Sequence, residues 1–147
     1  MLFRSVDHVA INQDSKANLS KKITYSLARR PDLSMVLDRL KKKQARKGAL
    51  ELLAEAFPGN EVNAQLHAVE HHVAHLASAF HCSPFESASV VSVDGFGDFA
   101  SAAWGHGSGT KIDVEDRVYF PHSLGVFYQA LTQYLGFPKY EIGRAHV

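Results

Sequence analysis

The spacing of apolar residues changes along the chain and divides it into predicted strands and helices. Short apolar runs closed by turn residues predict strands at residues 6–12 and 88–93. Apolar residues three or four positions apart predict helices at residues 17–30, 33–57, 70–80 and 124–135. Residues 65–69 are too few for periodicity to separate a strand from the start of the next helix, and we favour a strand.

The second half of the chain predicts three strands in succession, followed by a helix. The strands lie at residues 88–93, 100–105 and 111–119. Residues 94–98 (Asp-Gly-Phe-Gly-Asp) are expected to form a tight turn, and the glycine-rich residues 105–109 a flexible loop. Ser123 is a candidate N-cap for the last helix. This order of elements predicts an α/β protein whose three later strands are antiparallel.

Composition and charge restrict the classes of function. The chain has 147 residues, of which 46% are hydrophobic and 21% charged, as expected for one soluble globular domain. A formal net charge of +1 provides no global field for nucleic acid or an anionic membrane. The apolar runs fall well short of the ~20 residues needed to span a bilayer. Cys82 is the single cysteine, which excludes an intramolecular disulfide and makes the cytoplasm the simplest location.

Three residues with metal-binding chemistry are the strongest functional candidates. His71 and His75 would lie one turn apart on one face of the predicted helix, a spacing that suits two imidazoles on one ion. Asp94 directly follows the strand at residues 88–93, so its carboxylate would project from a strand end. Two imidazoles and a carboxylate suit iron, manganese or zinc. The alternative is that these histidines are ordinary polar residues on a helix surface. For an isolated pair of histidines with this spacing, that explanation is the more common one.

The same predicted helix has a second stripe that should face the core. Val73, Leu76 and Phe80 fall on that stripe, and His72 lies on neither centre line. Helical geometry therefore favours His71 with His75 as the ligand pair.

Several motifs occur together in an order that is typical of one family. They are residues 71–80 (His-His-Val-Ala-His-Leu-Ala-Ser-Ala-Phe), 83–85 (Ser-Pro-Phe), 93–98 (Val-Asp-Gly-Phe-Gly-Asp), 120–125 (Phe-Pro-His-Ser-Leu-Gly), Tyr128 and 132–137 (Thr-Gln-Tyr-Leu-Gly-Phe). With these motifs the chain resembles the O-carbamoyltransferases of nodulation-factor and antibiotic biosynthesis, the NodU/CmcH type, over residues 4–140.

The resemblance implies a ribonuclease H-like, actin-like (ASKHA) fold, present here in part. Residues 1–82 would end the first half of that fold and residues 83–140 would begin the second, so earlier strands are expected before Met1. Residues 141–147 depart from the family pattern. We interpret them as a translated sequencing adapter and not as protein.

The chemistry that the resemblance implies uses a metal and two substrates. Enzymes of this type convert carbamoyl phosphate and ATP to carbamoyl adenylate and pass the carbamoyl group to a hydroxyl of a sugar or secondary metabolite. The implied ligands of a divalent metal, iron before manganese or zinc, are His71, His75 and Asp94. A fourth ligand, a distant aspartate, has no counterpart in these 147 residues, so we expect the chain alone to be inactive.

Five further residues are candidates for substrate contacts. Gly95 and Gly97 would let backbone N–H groups approach phosphate oxygens. Asp98 would either support the metal ligands or bind nucleotide through a cation, and a turn-capping role is an equal alternative. His122 and Ser123, before a predicted helix, are candidate contacts for an anionic group, although helix capping alone explains the serine.

Two other functions remain open. A relative that transfers threonylcarbamoyl to tRNA would use the basic cluster at residues 39–47, which a solvated helix face also explains. The near-neutral charge disfavours this alternative. A metal-free kinase or chaperone module with an actin-like fold would bind nucleotide but would have no use for His71 and His75.

Overall fold

A computed structural model describes residues 6–29, 48–58 and 64–137, which form a mixed α/β arrangement, as predicted. The elements in chain order are β1 (His8–Ile11), α1 (Leu19–Arg29), α2 (Ala49–Ala56), β2 (Gln65–Ala68), α3 (His71–His81), β3 (Ser87–Gly97), β4 (Ala100–Ser108), β5 (Lys111–Tyr119) and α4 (Leu124–Tyr134). The strand predicted at residues 65–69 and the helix start near Glu70 are confirmed. Of the helix predicted over residues 33–57, the described residues contain α2, and the basic cluster at 39–47 lies outside them.

The strands form two small sheets. β1 and β2 are parallel, with Val9 opposite Leu66, and α1 and α2 lie between them in the sequence. β3, β4 and β5 form an antiparallel sheet in sequence order, so the prediction of three antiparallel strands is confirmed.

Two segments predicted as a turn and a loop are largely strand. β3 continues through residues 94–97, and the turn that follows is formed by Asp98 and Phe99, whose φ angles are 49° and 74°. β4 continues to Ser108, so residues 105–108 are not a flexible loop. A Cβ added at Gly107 would lie 2.7 Å from the Phe80 ring. Glycine at that position serves close packing of helix on sheet, which sequence alone cannot distinguish from flexibility.

Helix α3 packs across the three-stranded sheet and forms the core. Leu76, Phe80, Val90 and Ala103 are buried there, with Ile112 and Val114 half-buried beside them. The stripe predicted for α3 is partly wrong, because His72 is fully buried while Val73 is only half-buried. The buried positions 72, 76 and 80 repeat every fourth residue, so the core stripe is rotated by one residue from the predicted one.

Helix α4 begins at its predicted cap but leaves most of its apolar side chains exposed. Ser123 Oγ accepts a hydrogen bond from the N–H of Val126 at 3.1 Å, which confirms the N-cap. Thr132 is the residue of α4 that is buried. The apolar side chains that remain exposed among the described residues include Leu124, Phe127, Tyr128, Leu131 and Leu135.

Within the described ranges, no helix combines the length and apolar character needed to cross a membrane. Residues 141–147, interpreted above as a sequencing artefact, lie outside those ranges.

Candidate metal centre

Two carboxylates fix the start of α3, the helix that carries both candidate histidines. The side chain of Glu70 accepts hydrogen bonds from the N–H groups of His72 at 3.2 Å and Val73 at 3.0 Å. The N–H of His71 donates to Asp98 at 2.9 Å. These three N–H groups have no acceptor within the helix, and negative charge is favourable at a helix N-terminus. The helix therefore begins at His71 with its first turn satisfied.

The alternation of β3 places Asp94 on the face that α3 covers. Val90 and Ser92 are buried, while Val91 and Val93 between them are exposed. Since successive side chains of a strand point to opposite faces, Asp94 shares the face of Val90 and Ser92. The strand thereby directs the Asp94 carboxylate at the first turn of α3.

Side-chain atoms of His71, His75 and Asp94 converge on one point. Asp94 Oδ2 lies 2.8 Å from His71 Nε2 and 3.5 Å from His75 Nε2. The two Nε2 atoms are 3.1 Å apart. Ligands about 2.1 Å from one ion would be separated by roughly 3.0–3.4 Å at octahedral or tetrahedral angles. The three predicted metal ligands therefore stand in an arrangement that a single divalent ion fits.

The donors and acceptors around His71 also fit an ion. His71 Nδ1 lies 3.3 Å from the carbonyl oxygen of Asn12, which accepts a hydrogen bond in the tautomer that carries an Nδ1–H. Nε2 then faces the Asp94 carboxylate and His75 Nε2 with a lone pair, as a neutral imidazole has one N–H. A cation between these atoms removes the repulsion of the facing lone pairs. A carbonyl behind the ring is a common support of metal-binding histidines.

Asp94 is held in its ionised form. Without an ion, a hydrogen bond from the Nε2–H of His71 lowers the pKa of the Asp94 carboxyl below its ordinary value of 3.8, and the N–H of Gly95, 2.6 Å from Asp94 Oδ1, lowers it further. Partial burial opposes these effects without reversing them. An ion bound to Nε2 would take the place of that proton. An ionised carboxylate at neutral pH is the form that binds a divalent cation.

One side of the cluster is open. The side chain of His71 is 20% exposed, and those of His75 and Asp94 are 46% and 43% exposed. An ion held here would keep coordination positions toward solvent, as catalytic metals do.

Two glycines allow the backbone to approach the cluster closely. A Cβ added at Gly97 would collide with the ring of His71, and one at Gly125 would lie 2.5 Å from the carbonyl oxygen of Asp94. The predicted phosphate contacts of Gly95 and Gly97 remain predictions. The structure adds that the space above Gly97 holds the His71 ring.

Ser123 connects α4 to the backbone of the Asp94 segment. Its hydroxyl lies 2.8 Å from the carbonyl oxygen of Gly95 and 3.2 Å from that of Asp94, and it donates to these acceptors. His122 is exposed, and its carbonyl accepts from the Ser101 hydroxyl. The predicted role of His122 and Ser123 as anion contacts remains a prediction, although the serine lies beside the cluster.

His72 has a structural role that the sequence analysis did not assign. Its ring is fully buried, and Nδ1 lies 2.9 Å from the hydroxyl of Ser92, two residues before Asp94. The pair is a further link between α3 and β3. A polar serine at an inward position of β3 was the available signal, since a buried hydroxyl requires a partner on the facing helix.

Residues 8–143 match the sequence profile of a family described as "Carbamoyltransferase N-terminus". The chain belongs to this family. The match covers more than half of the chain and includes every residue of the candidate metal centre, so the predicted carbamoyltransferase family is confirmed.

Named relatives agree with this assignment. The chain is 41% identical over 93 residues to nodulation protein NolNO of Sinorhizobium fredii, covering 61% of this chain and 13% of that protein. It is 43% identical over 79 residues to nodulation protein NolO of Bradyrhizobium diazoefficiens, covering 50% and 14%. A protein of Synechocystis described as uncharacterized is 46% identical over 68 residues, covering 46% and 11%. The chain thus spans between a tenth and a seventh of the length of these curated relatives.

Proposed function

We propose that the chain is part of an O-carbamoyltransferase and holds a divalent metal ion through His71, His75 and Asp94. In the proposed reaction, carbamoyl phosphate, ATP and water give carbamoyl adenylate, inorganic phosphate and pyrophosphate. The carbamoyl group then passes to a hydroxyl of a sugar or secondary metabolite, and AMP leaves. Iron is the first candidate for the ion, with manganese and zinc as alternatives. When bound, such an ion polarises a carbonyl or stabilises the charge of departing phosphate oxygens.

The protein groups around the ion would hold and orient it. With an ion bound, the Asn12 carbonyl would accept a hydrogen bond from the Nδ1–H of His71 and leave Nε2 as the ligand atom. The lowered pKa of Asp94 keeps its carboxylate charged. Gly95 and Gly97 remain the proposed contacts for phosphate or nucleotide, and His122 and Ser123 those for an anionic group of the substrate. Asp98 would either support the metal ligands or bind nucleotide through a cation.

The proposal includes an actin-like, ribonuclease H-like fold and a cytoplasmic location. β1 to α3 would end the first half of that fold, and β3 to α4 would begin the second. Three antiparallel strands followed by a helix support this arrangement. The histidines and Asp94 would then come from different halves, with the acceptor entering between them.

The observation that carries the proposal is the convergence of three metal-ligand atoms, no two more than 3.5 Å apart, in a member of the carbamoyltransferase family. A pair of helix histidines alone would be weak support. The Asp94 carboxylate belongs to a separate element, β3, and contacts both histidine rings. Histidines that are only polar surface residues of a helix would not be expected to converge on such a carboxylate.

Metal content tests the proposal first. The wild-type chain, His71→Ala and His75→Ala are loaded with Fe²⁺ without oxygen, and separately with Mn²⁺ and Zn²⁺, then desalted and analysed for bound metal. We expect about one ion per wild-type chain and far less in both variants. Equal, negligible metal in all three proteins would contradict the proposal and favour the metal-free nucleotide-binding module.

The reaction is tested with the protein expressed from the complete reading frame that contains this chain. Carbamoyl phosphate, ATP and a panel of hexoses and aminosugars are supplied to wild type and His75→Ala, and pyrophosphate release and sugar carbamoylation are both measured. We expect the variant to release pyrophosphate but to lose carbamoylation, because we place adenylate formation in a separate carboxy-terminal domain of the full enzyme. Undiminished carbamoylation by the variant would contradict the assigned role of His75.

A further inference from the structure

We infer that Asp98 is a positioning residue for the metal centre, because its carboxylate fixes the first residue of α3 to the segment that carries Asp94. The inference rests on the proposed metal site and adds to it a residue that need not contact the ion. It also chooses among the three roles expected for Asp98: supporting the ligands, binding nucleotide and capping a turn.

One carboxylate oxygen of Asp98 joins two distant parts of the chain. Oδ2 accepts a hydrogen bond from the N–H of His71 at 2.9 Å and another from the N–H of Asp14 at 2.8 Å. The backbone carbonyl of Asp98 accepts from the side-chain amide of Asn18 at 2.9 Å. The loop between β1 and α1, the start of α3 and the turn between β3 and β4 therefore meet at this residue.

His71 is consequently attached to one short segment at two points. Its ring contacts Asp94 at 2.8 Å and its backbone N–H contacts Asp98, four residues later. A single contact would leave the helix free to rotate about it. Two contacts fix both the position of the helix start and the direction of the ring, so Nε2 is held where Asp94 and His75 converge.

The turn that carries Asp98 is fixed from the opposite side. Asp98 and Phe99 both have positive φ angles, 49° and 74°, in the left-handed region that non-glycine residues rarely adopt. The Phe99 ring packs against Tyr25 and Phe120, with ring centroids 5.7 and 5.6 Å apart. These contacts hold the strained turn in place, and the Asp98 carboxylate with it.

A local helix cap would not need this arrangement. Glu70 already caps α3 from the adjacent position by accepting from His72 and Val73. Asp98, from the turn between β3 and β4, accepts a hydrogen bond from the N–H of His71, which is the residue of that first helical turn proposed as a metal ligand. The additional bond therefore serves the relation between helix and strand more than the helix itself.

Co²⁺ binding to the chain tests this role, because the ligand-field absorption of Co²⁺ reports coordination geometry as well as affinity. The variants are Asp98→Ala, which removes both hydrogen bonds, and Asp98→Asn, which retains an acceptor oxygen. Asp14→Ala is the matched control, since its carboxylate accepts from the N–H of Lys16 in the same loop. Hydrogen exchange of the His71 amide is measured in each folded protein.

For Asp98→Ala we expect a Co²⁺ Kd raised by roughly 10–100-fold, the usual effect of losing a residue that orients a metal ligand, with an altered absorption spectrum. The His71 amide should exchange faster. Asp98→Asn should keep the wild-type spectrum and lose less than about tenfold in affinity, since it loses charge assistance but not the acceptor. Asp14→Ala should match wild type.

Four results would contradict the inference. Unchanged Kd and spectrum in a folded Asp98→Ala would overturn the role of Asp98 and leave the metal centre standing. If Asp14→Ala has the same Kd and spectrum as Asp98→Ala, the weaker binding would follow from the loss of any carboxylate in this region and not from a specific role of Asp98. If Asp98→Ala does not fold, Asp98→Asn is used in its place. A spectrum that shows no bound Co²⁺ in folded Asp98→Asn would mean that Asp98 is itself a metal ligand and not a positioning residue. A wild-type chain without Co²⁺ binding would overturn the proposed function and this role together.

Discussion

The two ends of α3 each seat an aromatic ring against a glycine of the three-stranded sheet, but for different purposes. At the N-terminal end the His71 ring lies over Gly97 in β3, within hydrogen-bond distance of Asn12, Asp94 and His75. At the C-terminal end the Phe80 ring lies over Gly107 in β4, in the apolar core. We call these the polar end and the apolar end of the helix.

The difference separates the groups that hold the fold from the groups that form the site. Burial of Phe80 stabilises the apolar end through contact area, which does not depend on direction. The polar end depends on directed hydrogen bonds, which fix where each nitrogen and oxygen lies but add little net stability. Changes at the apolar end should therefore alter the free energy of unfolding, and changes at the polar end should alter metal affinity.

The largest expected effect is at the apolar end. Phe80→Ala should lower the free energy of unfolding by roughly 3–5 kcal/mol, because the ring is buried and would leave a cavity. Urea unfolding followed by circular dichroism measures this. Phe85→Ala removes an exposed ring and should stay within about 0.5 kcal/mol of wild type. A similar loss in both variants would break the comparison.

Removal of a metal ligand at the polar end should weaken metal binding and leave the free energy of unfolding nearly unchanged. His75→Ala should raise the metal Kd by more than the roughly 10–100-fold that loss of a supporting residue costs, since it deletes a coordinating nitrogen. Its free energy of unfolding without metal should change by less than about 0.5 kcal/mol, because the side chain is 46% exposed. Isothermal titration with Zn²⁺ and urea unfolding are paired, with His81→Ala as the control on the same helix. Unchanged Zn²⁺ affinity in His75→Ala would contradict the ligand assignment.

The two glycines give a more direct contrast. Gly97→Ala should push the His71 ring aside and weaken metal binding by roughly 10–100-fold. Gly107→Ala should press on Phe80 and lower the free energy of unfolding by roughly 1–3 kcal/mol, with metal affinity in the folded protein preserved. Each variant is the other's control. Identical profiles would show that the helix responds as one rigid unit and that its ends are not separable.

The smallest effect concerns acid. Because the folded-state pKa of Asp94 is lowered, its ionised form stabilises the metal-free protein above the unfolded value of 3.8, and this contribution is lost as pH falls through the lowered pKa. The difference in unfolding free energy between wild type and Asp94→Asn should therefore be constant near neutral pH and disappear in acid. Urea unfolding in the presence of a chelator at a series of pH values measures it. A difference that grows below pH 3.8 would contradict the assigned direction.

Elements that depend on local pattern could be predicted from the sequence. β5 has the predicted bounds, and the start of α3 and the cap of α4 were predicted from spacing and turn chemistry. His71 and His75 follow from helical spacing alone. Asp94 was recognised from its position at the end of the predicted strand, but its contact with both histidines depends on how β3, which continues to Gly97, lies against α3.

The features that were missed all depend on contacts between distant residues. Gly105 and Gly107 look like loop residues unless the neighbouring strand and the Phe80 ring are known. His72 was set apart from both stripes because its partner, Ser92, is twenty residues away. A one-residue rotation of the core stripe is within the uncertainty of any helical pattern made of few apolar positions.

The irregular pairing of β3 has a mechanical consequence. Between Val93 and Gly97 this strand advances four residues while its partner advances only two, from Ala102 to Ala100. The surplus backbone carries Asp94 and Gly95, whose carbonyls are thereby free to meet the Ser123 hydroxyl at the head of α4. A displacement of α4 would reach the Asp94 backbone through this hydroxyl and through Gly125, which packs directly against the Asp94 carbonyl, with no long side chain to absorb it. The position of Asp94 therefore depends on the position of α4, a helix whose exposed side chains are mostly apolar.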